Sequence, residues 1–283
     1  MTHPHYASCA EFLTTEIIEN EQIARDTMRL RLEVPDKTLG SAPGQFFMIR
    51  DPGNDPLIGR AFAIYDASLD GTSQNWIDLV YVVKGKLTTT IANRRTGDSI
   101  SWWGPLGNSF RTDPVDHLIL VAGGIGQTPF LLLCQEALGV RKFGDRPNGY
   151  AKRVSFCYGA RSADYLAGLD AFRSTGAELL IATDDGSHGP PRRVTNALED
   201  CLAASSSAES KRIVCCGPEP MMEATSTIAA TNGISCDVSL ETPMACGIGI
   251  CFSCVAKVGT ESDWDYKRTC VEGPIFDAAE IVW

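Results

Sequence analysis

The chain has 283 residues, room for about two domains at roughly 150 residues each. It is 44% hydrophobic and 21% charged, which excludes wholesale disorder and collagen-like repeats. Its 25 basic against 35 acidic side chains leave a net charge of -10, so nucleic acid is excluded as a main partner. No membrane association is expected either. The apolar runs at 118–122 and 130–134 fall far short of the roughly 20 residues a bilayer needs. Residues 1–5 carry no basic start leading into an apolar core, so no export signal is expected and the expected location is the cytoplasm.

In chain order, residues 27–34 alternate with strict period two, the pattern of a half-buried strand. Further strands are predicted at 45–50, 60–65, 76–84 and 98–102, with one short helical pattern at 87–94. Many short strands separated by Gly, Pro and Asp turns predict an antiparallel β-barrel over 1–112. From 113 the texture changes. Continuous apolar runs at 117–122, 153–158, 178–183 and 212–216 alternate with helical segments, one of them at 129–138. That alternation predicts a parallel-sheet α/β domain over 113–238, covered on both faces. Residues 203–210 are small and polar and read as a surface loop. The last segment, 239–283, is cysteine-rich and too short to hold its own core; it must lean on the body or be organised by a metal centre.

Eleven cysteines, an odd number in a chain without an export signal, argue against a disulfide framework. Cys134 and Cys157 lie in apolar runs and read as small buried hydrophobes. Cys246, Cys251, Cys254 and Cys270 differ: they read C-x4-C-x2-C, then one cysteine after fifteen intervening residues. A [2Fe-2S] centre needs two thiolates per iron, and three from one tight loop plus one from a distant segment is the plant-type ferredoxin spacing. Gly247 and Gly249 permit positive φ and close approach to inorganic sulfide. A zinc site with four cysteine ligands is the competing reading, but zinc loops usually carry C-x2-C pairs in both halves.

The strand at 118–122 runs into Gly123, Gly124, Ile125, Gly126, Gln127, Thr128 and Pro129. A strand, a glycine turn and a helix start can cradle phosphate; an ordinary tight turn is the alternative. Asp184 follows a second buried strand, and Gly217, Pro218 and Met221 follow a third. All three segments are expected at the carboxyl edge of the sheet, where open parallel sheets bind ligands. Arg161 and Ser162 leave NAD and NADP both open.

In the barrel, Arg60 opens the strand Arg60, Ala61, Phe62, Ala63 and offers a guanidinium suited to a pyrophosphate. Val80, Tyr81 and Val82 lead through Gly85 to a hydroxyl-rich helix start at Leu87 and Thr88. Electron counting adds a flavin. Nicotinamide delivers two electrons as hydride, a cluster accepts one at a time, and a flavin tolerates both.

The order of barrel, nucleotide domain and cysteine tail resembles the ferredoxin–NADP reductase superfamily. Residues 239–251 (Ser-Leu-Glu-Thr-Pro-Met-Ala-Cys-Gly-Ile-Gly-Ile-Cys) and 268–276 (Arg-Thr-Cys-Val-Glu-Gly-Pro-Ile-Phe) make the chain similar to electron-transfer subunits of NAD-dependent dihydroorotate dehydrogenase. The resemblance implies FAD on the barrel, a [2Fe-2S] cluster in the tail facing the partner, and NAD at the second domain. It also implies a separate FMN-containing dihydroorotate dehydrogenase catalytic subunit, with two copies of each chain, acting in pyrimidine biosynthesis. Electrons would pass from FMN through the cluster to FAD and on to NAD. The family's flavin motif departs here at Ala61 and Ala63, which replace a proline and a hydroxyl residue, and its second phosphate motif departs at Leu87, which replaces a glycine between Gly85 and Thr88. The alternative is an NAD(P)H-dependent reductase subunit serving a hydrogenase, an oxygenase or a sulfur-reducing complex. No side chain reads as a general base for dihydroorotate oxidation; His117 and His188 read as a strand-end and a loop histidine.

Overall fold

A computed structural model describes residues 10–34, 41–53, 55–68 and 75–283. The amino-terminal residues read above for an export signal lie outside this set.

Six antiparallel strands close a barrel: β1 (Glu11–Ala24), β2 (Thr27–Glu33), β3 (Phe46–Arg50), β4 (Arg60–Ser68), β5 (Trp76–Val82) and β6 (Ser99–Leu106), in the order β1-β2-β5-β4-β3-β6. The period-two pattern of β2 explains its place: Leu30 and Leu32 are buried in the barrel core, and the alternate Arg31 turns outward. Arg31 forks onto Asp78 of β5 at 2.7 and 2.8 Å and covers the Trp76 ring at 3.7 Å. The core of Ile17, Phe47, Ile49, Ile77, Leu79, Ile100 and Trp102 is completed by Leu87 and Ile91 of the short helix α1 (Lys86–Ala92). The expected strands and helix appear within a few residues of their predicted bounds. The fourteen-residue β1 was not expected, because its acidic sequence buries only Ile17 completely.

The second unit alternates strand and helix as expected: β7 (Val115–Gly123), α2 (Phe130–Ala137), β8 (Ala151–Ala160), α3 (Leu169–Ser174), β9 (Glu178–Thr183), α4 (Val194–Ala203), β10 (Lys211–Cys216), α5 (Glu219–Thr231) and β11 (Ser235–Ser239). A hairpin, β12 (Val255–Thr260) with β13 (Asp263–Arg268), and a last strand, β14 (Ile275–Asp277), follow. The six-stranded sheet runs β14-β11-β10-β7-β8-β9, parallel except for β14. β7 shows why its run is continuously apolar: Leu118, Leu120 and Ala122 pack on Phe130, Phe156 and Phe172 on one face. Ile119 and Val121 pack on Leu198, Cys201 and Met222 on the other. His117 is fully buried in β7 between Ser155 at 2.8 Å and Ser205 at 3.2 Å, a structural role.

The glycine turn follows the expected strand–turn–helix: a 3₁₀ turn, Gly124–Gln127, leads from β7 into α2, which starts at Phe130 with Pro129 at its cap. The turn is tightly packed: a Cβ on Gly126 would lie 2.3 Å from the Cys216 carbonyl oxygen, so it is pressed against the segment after β10.

The tail leans on both units. Met244, Cys254 and Cys270 share an apolar cluster with Phe46, Met48 and Leu106 of the barrel, while β14 extends the sheet.

Candidate functional site

A cavity of about 480 Å3 opens where the barrel meets the carboxyl edge of the sheet. Arg60, Ala61, Phe62 and Ala63 of β4, Val80, Tyr81 and Val82 of β5, and Gly85, Leu87 and Thr88 at the start of α1 all line it. Three of these positions do something other than their residue type suggested. The Thr88 hydroxyl is consumed by the turn, accepting from the N–H groups of Lys84 and Gly85 and donating to the Gly85 carbonyl, each at 3.0 Å. Leu87 packs in the barrel core as well as lining the cavity, at the position where no glycine stands. Arg60 donates to the carbonyls of Gly59 at 2.9 Å and Ile58 at 3.3 Å, and its side chain is exposed. Lys84 and Lys86 add positive charge to the same wall, Lys86 pairing with Asp55.

The opposite wall comes from Ile125, Thr128, Cys216, Glu241, Thr242 and Met244. Thr128 was expected in a nucleotide site; Cys216, Glu241 and Thr242 were not, and only their approach in space marks them. Burial pushes the Cys216 thiol well up, keeping it protonated. Glu241 is open to the cavity yet ringed by protein, and that desolvation raises its carboxyl above the usual range.

The other nucleotide-site candidates do not line this cavity. Gly123, Gly124 and Gly126 sit at the carboxyl end of β7, Asp184 at that of β9, and Gly217, Pro218 and Met221 at that of β10. The first and last groups interlock: a Cβ on Gly123 would lie 2.6 Å from the Met221 sulfur and 2.8 Å from Pro218. Gln127 is fully buried beneath them. Asp184 is exposed at the far side of the edge.

The four tail cysteines fall into two pairs. Cys254 and Cys270 are buried with sulfurs 3.1 Å apart. Cys246 donates towards Cys251, which is exposed. Hydrogen bonds from Ser253 and from Cys246 lower the Cys251 thiol to about 6. Burial and the neighbouring Cys254 push Cys270 up, to about 12, against a backbone N–H from Gly249. The Ile248 N–H lies 3.4 Å from the Cys246 sulfur. Gly247 and Gly249 both adopt positive φ, as the loop's tight path requires. Arg268 holds the loop by donating to the Gly249 carbonyl at 3.0 Å and covers Phe252 at 5.2 Å. Among the described residues no three His, Cys, Asp or Glu side chains gather around one ion position. Two thiol pairs with amides aimed at sulfur fit a two-iron centre, which takes two thiolates per iron. Trp103 of β6 joins the loop to the barrel, its indole N–H donating to the Cys246 carbonyl at 2.8 Å.

Comparison with known proteins agrees with this layout. Residues 14–110 match the family model of the oxidoreductase FAD-binding domain. Residues 241–282 match that of the iron-sulfur cluster binding domain of dihydroorotate dehydrogenase B. The chain is 32% identical over 263 residues to the dihydroorotate dehydrogenase B (NAD(+)) electron transfer subunit of Desulforamulus reducens, covering 92% of this chain and 94% of that protein. It is 31% identical to the electron transfer subunit homolog of Aquifex aeolicus, covering 95% and 98%. Among solved structures it superposes on an NADH-dependent reduced ferredoxin-NADP oxidoreductase with a TM-score of 0.80 at 27% identity, over 95% of this chain and 90% of that one. The chain therefore belongs to the family of dihydroorotate dehydrogenase B electron transfer subunits.

Proposed function

We propose that this chain carries electrons between NAD and a partner catalytic subunit that oxidises dihydroorotate, through FAD in the cavity and a [2Fe-2S] cluster in the tail. The observation that carries this reading is a shared wall. Phe46, Ala61 and Met244 line the cavity and also belong to the apolar cluster that contains Cys254 and Cys270. A flavin in the cavity and a cluster on those cysteines would thus be separated by only one layer of side chains.

In this reading Arg60, with Lys84 and Lys86, holds the pyrophosphate of FAD, while Ala61, Phe62, Ala63, Val80, Tyr81 and Val82 form the bed for its ring. Cys246, Cys251, Cys254 and Cys270 hold the irons. Gly123, Gly124, Gly126, Thr128, Asp184, Gly217, Pro218 and Met221 receive NAD along the carboxyl edge of the sheet, with fully buried Gln127 supporting the turn from within. FAD supplies a carrier that exchanges two electrons with a nicotinamide and releases them singly to a one-electron centre. Ala61 and Ala63 offer the ring only backbone groups, so side-chain polar contact with it falls to the opposite wall. Buried Cys216, protonated, and Glu241 bring hydrogen-bonding groups there.

Ile248, Ile250 and Phe252 are exposed around Cys251, an apolar rim suited to a permanent partner. That partner would be the FMN-containing catalytic subunit, assembled as two copies of each chain, and dihydroorotate chemistry would lie wholly within it. The test is purification at native expression, followed by metal and flavin analysis and a visible spectrum with and without NADH. The expected result is a brown-yellow protein with about two irons and two labile sulfides per FAD, bleached by NADH and accompanied by an FMN protein. An iron-free chain that still binds flavin would overturn the proposal. The likeness to a ferredoxin-NADP oxidoreductase favours a second reading, a reductase serving another redox complex. Preference for NADPH and co-purification with a different redox protein would select it.

A further inference from the structure

Two threonines connect the cavity to the cysteine tail. Thr242 lines the cavity, and its hydroxyl is hydrogen-bonded to that of Thr269. Thr269 is fully buried, does not reach the cavity, and directly precedes Cys270. Its hydroxyl donates to the Cys254 carbonyl at 3.0 Å, and its backbone N–H donates to the same carbonyl at 2.8 Å.

The Thr269 hydroxyl is directed at the Cys254 carbonyl, which can only accept, and the relay is read with its single hydrogen placed there. In that arrangement Thr242 is the donor to Thr269. With its own hydrogen committed, Thr242 presents only lone pairs to the cavity and can bind only a donor group of whatever occupies it.

We propose that Thr242 and Thr269 form a directed hydrogen-bond relay through which the cavity occupant and the cluster-bearing segment sense one another, with Thr242 accepting from an N–H or O–H of the flavin. Both are positioning residues: Thr242 orients the flavin, and Thr269 orients Thr242 and steadies the peptide of Cys254. The proposal rests on reading the cavity as the FAD site and the tail as the cluster site. Removing the Thr269 hydroxyl leaves the Cys254 carbonyl with its backbone donor, so the loop keeps its fold. The same change frees Thr242 to rotate and lose its acceptor role.

The experiment uses the full-length chain with FAD and iron in place. T242V, T269V and the double variant are compared for FAD retention on serial dilution, read by flavin fluorescence. The cluster is read separately by its paramagnetic resonance spectrum after dithionite reduction. Each single variant should weaken FAD binding about fivefold, the factor that one net hydrogen bond carries. The double variant should also be about fivefold weaker, rather than the product of two independent losses. T269V should shift the cluster resonance, and T269S should restore both signals. Iron-replete T242V and T269V that retain FAD like the parent chain, or whose losses multiply in the double variant, would overturn the relay. T242V is at a half-buried position and tests the relay even where T269V fails to fold. A parent chain without iron would instead overturn the cluster reading, a result that metal analysis distinguishes from failure of the relay alone.

Discussion

Gly247 is the residue on which the tail's contact with the barrel turns. It sits at φ +72°, and a Cβ there would lie 2.6 Å from Met48 Cγ and 2.8 Å from Leu106 Cδ1. Gly247→Ala combines left-handed strain with overpacking of a closed apolar cluster, so it should cost about 2–4 kcal/mol. It should also release iron. Urea unfolding together with iron analysis checks this, and a loss below roughly 1 kcal/mol would mean that the loop can shift away from β3. The cysteines beside it stand out in the sequence by their spacing, and the fold brings them together as two pairs. Cys216, Glu241, Thr242 and the Trp103 indole were not legible there, since their roles arise from contacts between segments more than a hundred residues apart or from a wall that exists only when folded. Thr88 and Leu87 show the converse. Their positions were legible, but their atoms do different work, one closing a turn and the other filling the barrel core.

Among the elements, α2 shows how a helix that carries a charge can be buried on all sides. Glu136 is fully buried on it. Arg146 forks onto its carboxylate at 2.7 and 3.1 Å, and the Tyr150 hydroxyl donates at 3.2 Å. The same guanidinium donates to Ser109 and to the Phe110 carbonyl, each at 2.7 Å, and so ties α2 to the segment leaving the barrel. Arg146→Met strands a buried carboxylate and should destabilise the fold by about 3–5 kcal/mol, whereas pairing it with Glu136→Leu should recover most of that loss. Thermal or urea unfolding of the two variants decides the matter; equal damage in both would place the cost in packing rather than charge. The strands of the sheet were legible because continuous apolar runs have few other uses. β11 escaped because it is short and carries Asp237, whose charge is met by Arg111 at 2.8 Å from outside the strand. β1 escaped because its alternation is diluted by exposed Phe12 and by four glutamates spread along it.

At the scale of the whole molecule, the tail behaves as a clasp between barrel and sheet rather than an appendage. Asn108, just after β6, donates to the Ile275 carbonyl at 2.8 Å and accepts from the Ile275 N–H at 3.0 Å. Its own backbone N–H donates to the Gly273 carbonyl at 2.6 Å. β14 then pairs with β11, and Cys254 and Cys270 pack on Phe46 and Met48. If metal organises these cysteines, its removal acts on all three parts together, because the segment that loosens is the one that closes the cavity from the side of Thr242 and Met244. Anaerobic chelation of iron should therefore lower the melting temperature of the entire chain. A loss of about 3 kcal/mol would appear as roughly 6–12 °C at this size. FAD should dissociate in the same transition, with no separate earlier melting of the tail. Differential scanning calorimetry with flavin fluorescence followed in parallel tests this directly. A barrel that keeps its flavin and its melting temperature after the iron has gone would show that the tail is an independent module, and that the shared wall of Phe46, Ala61 and Met244 transmits nothing between the two sites.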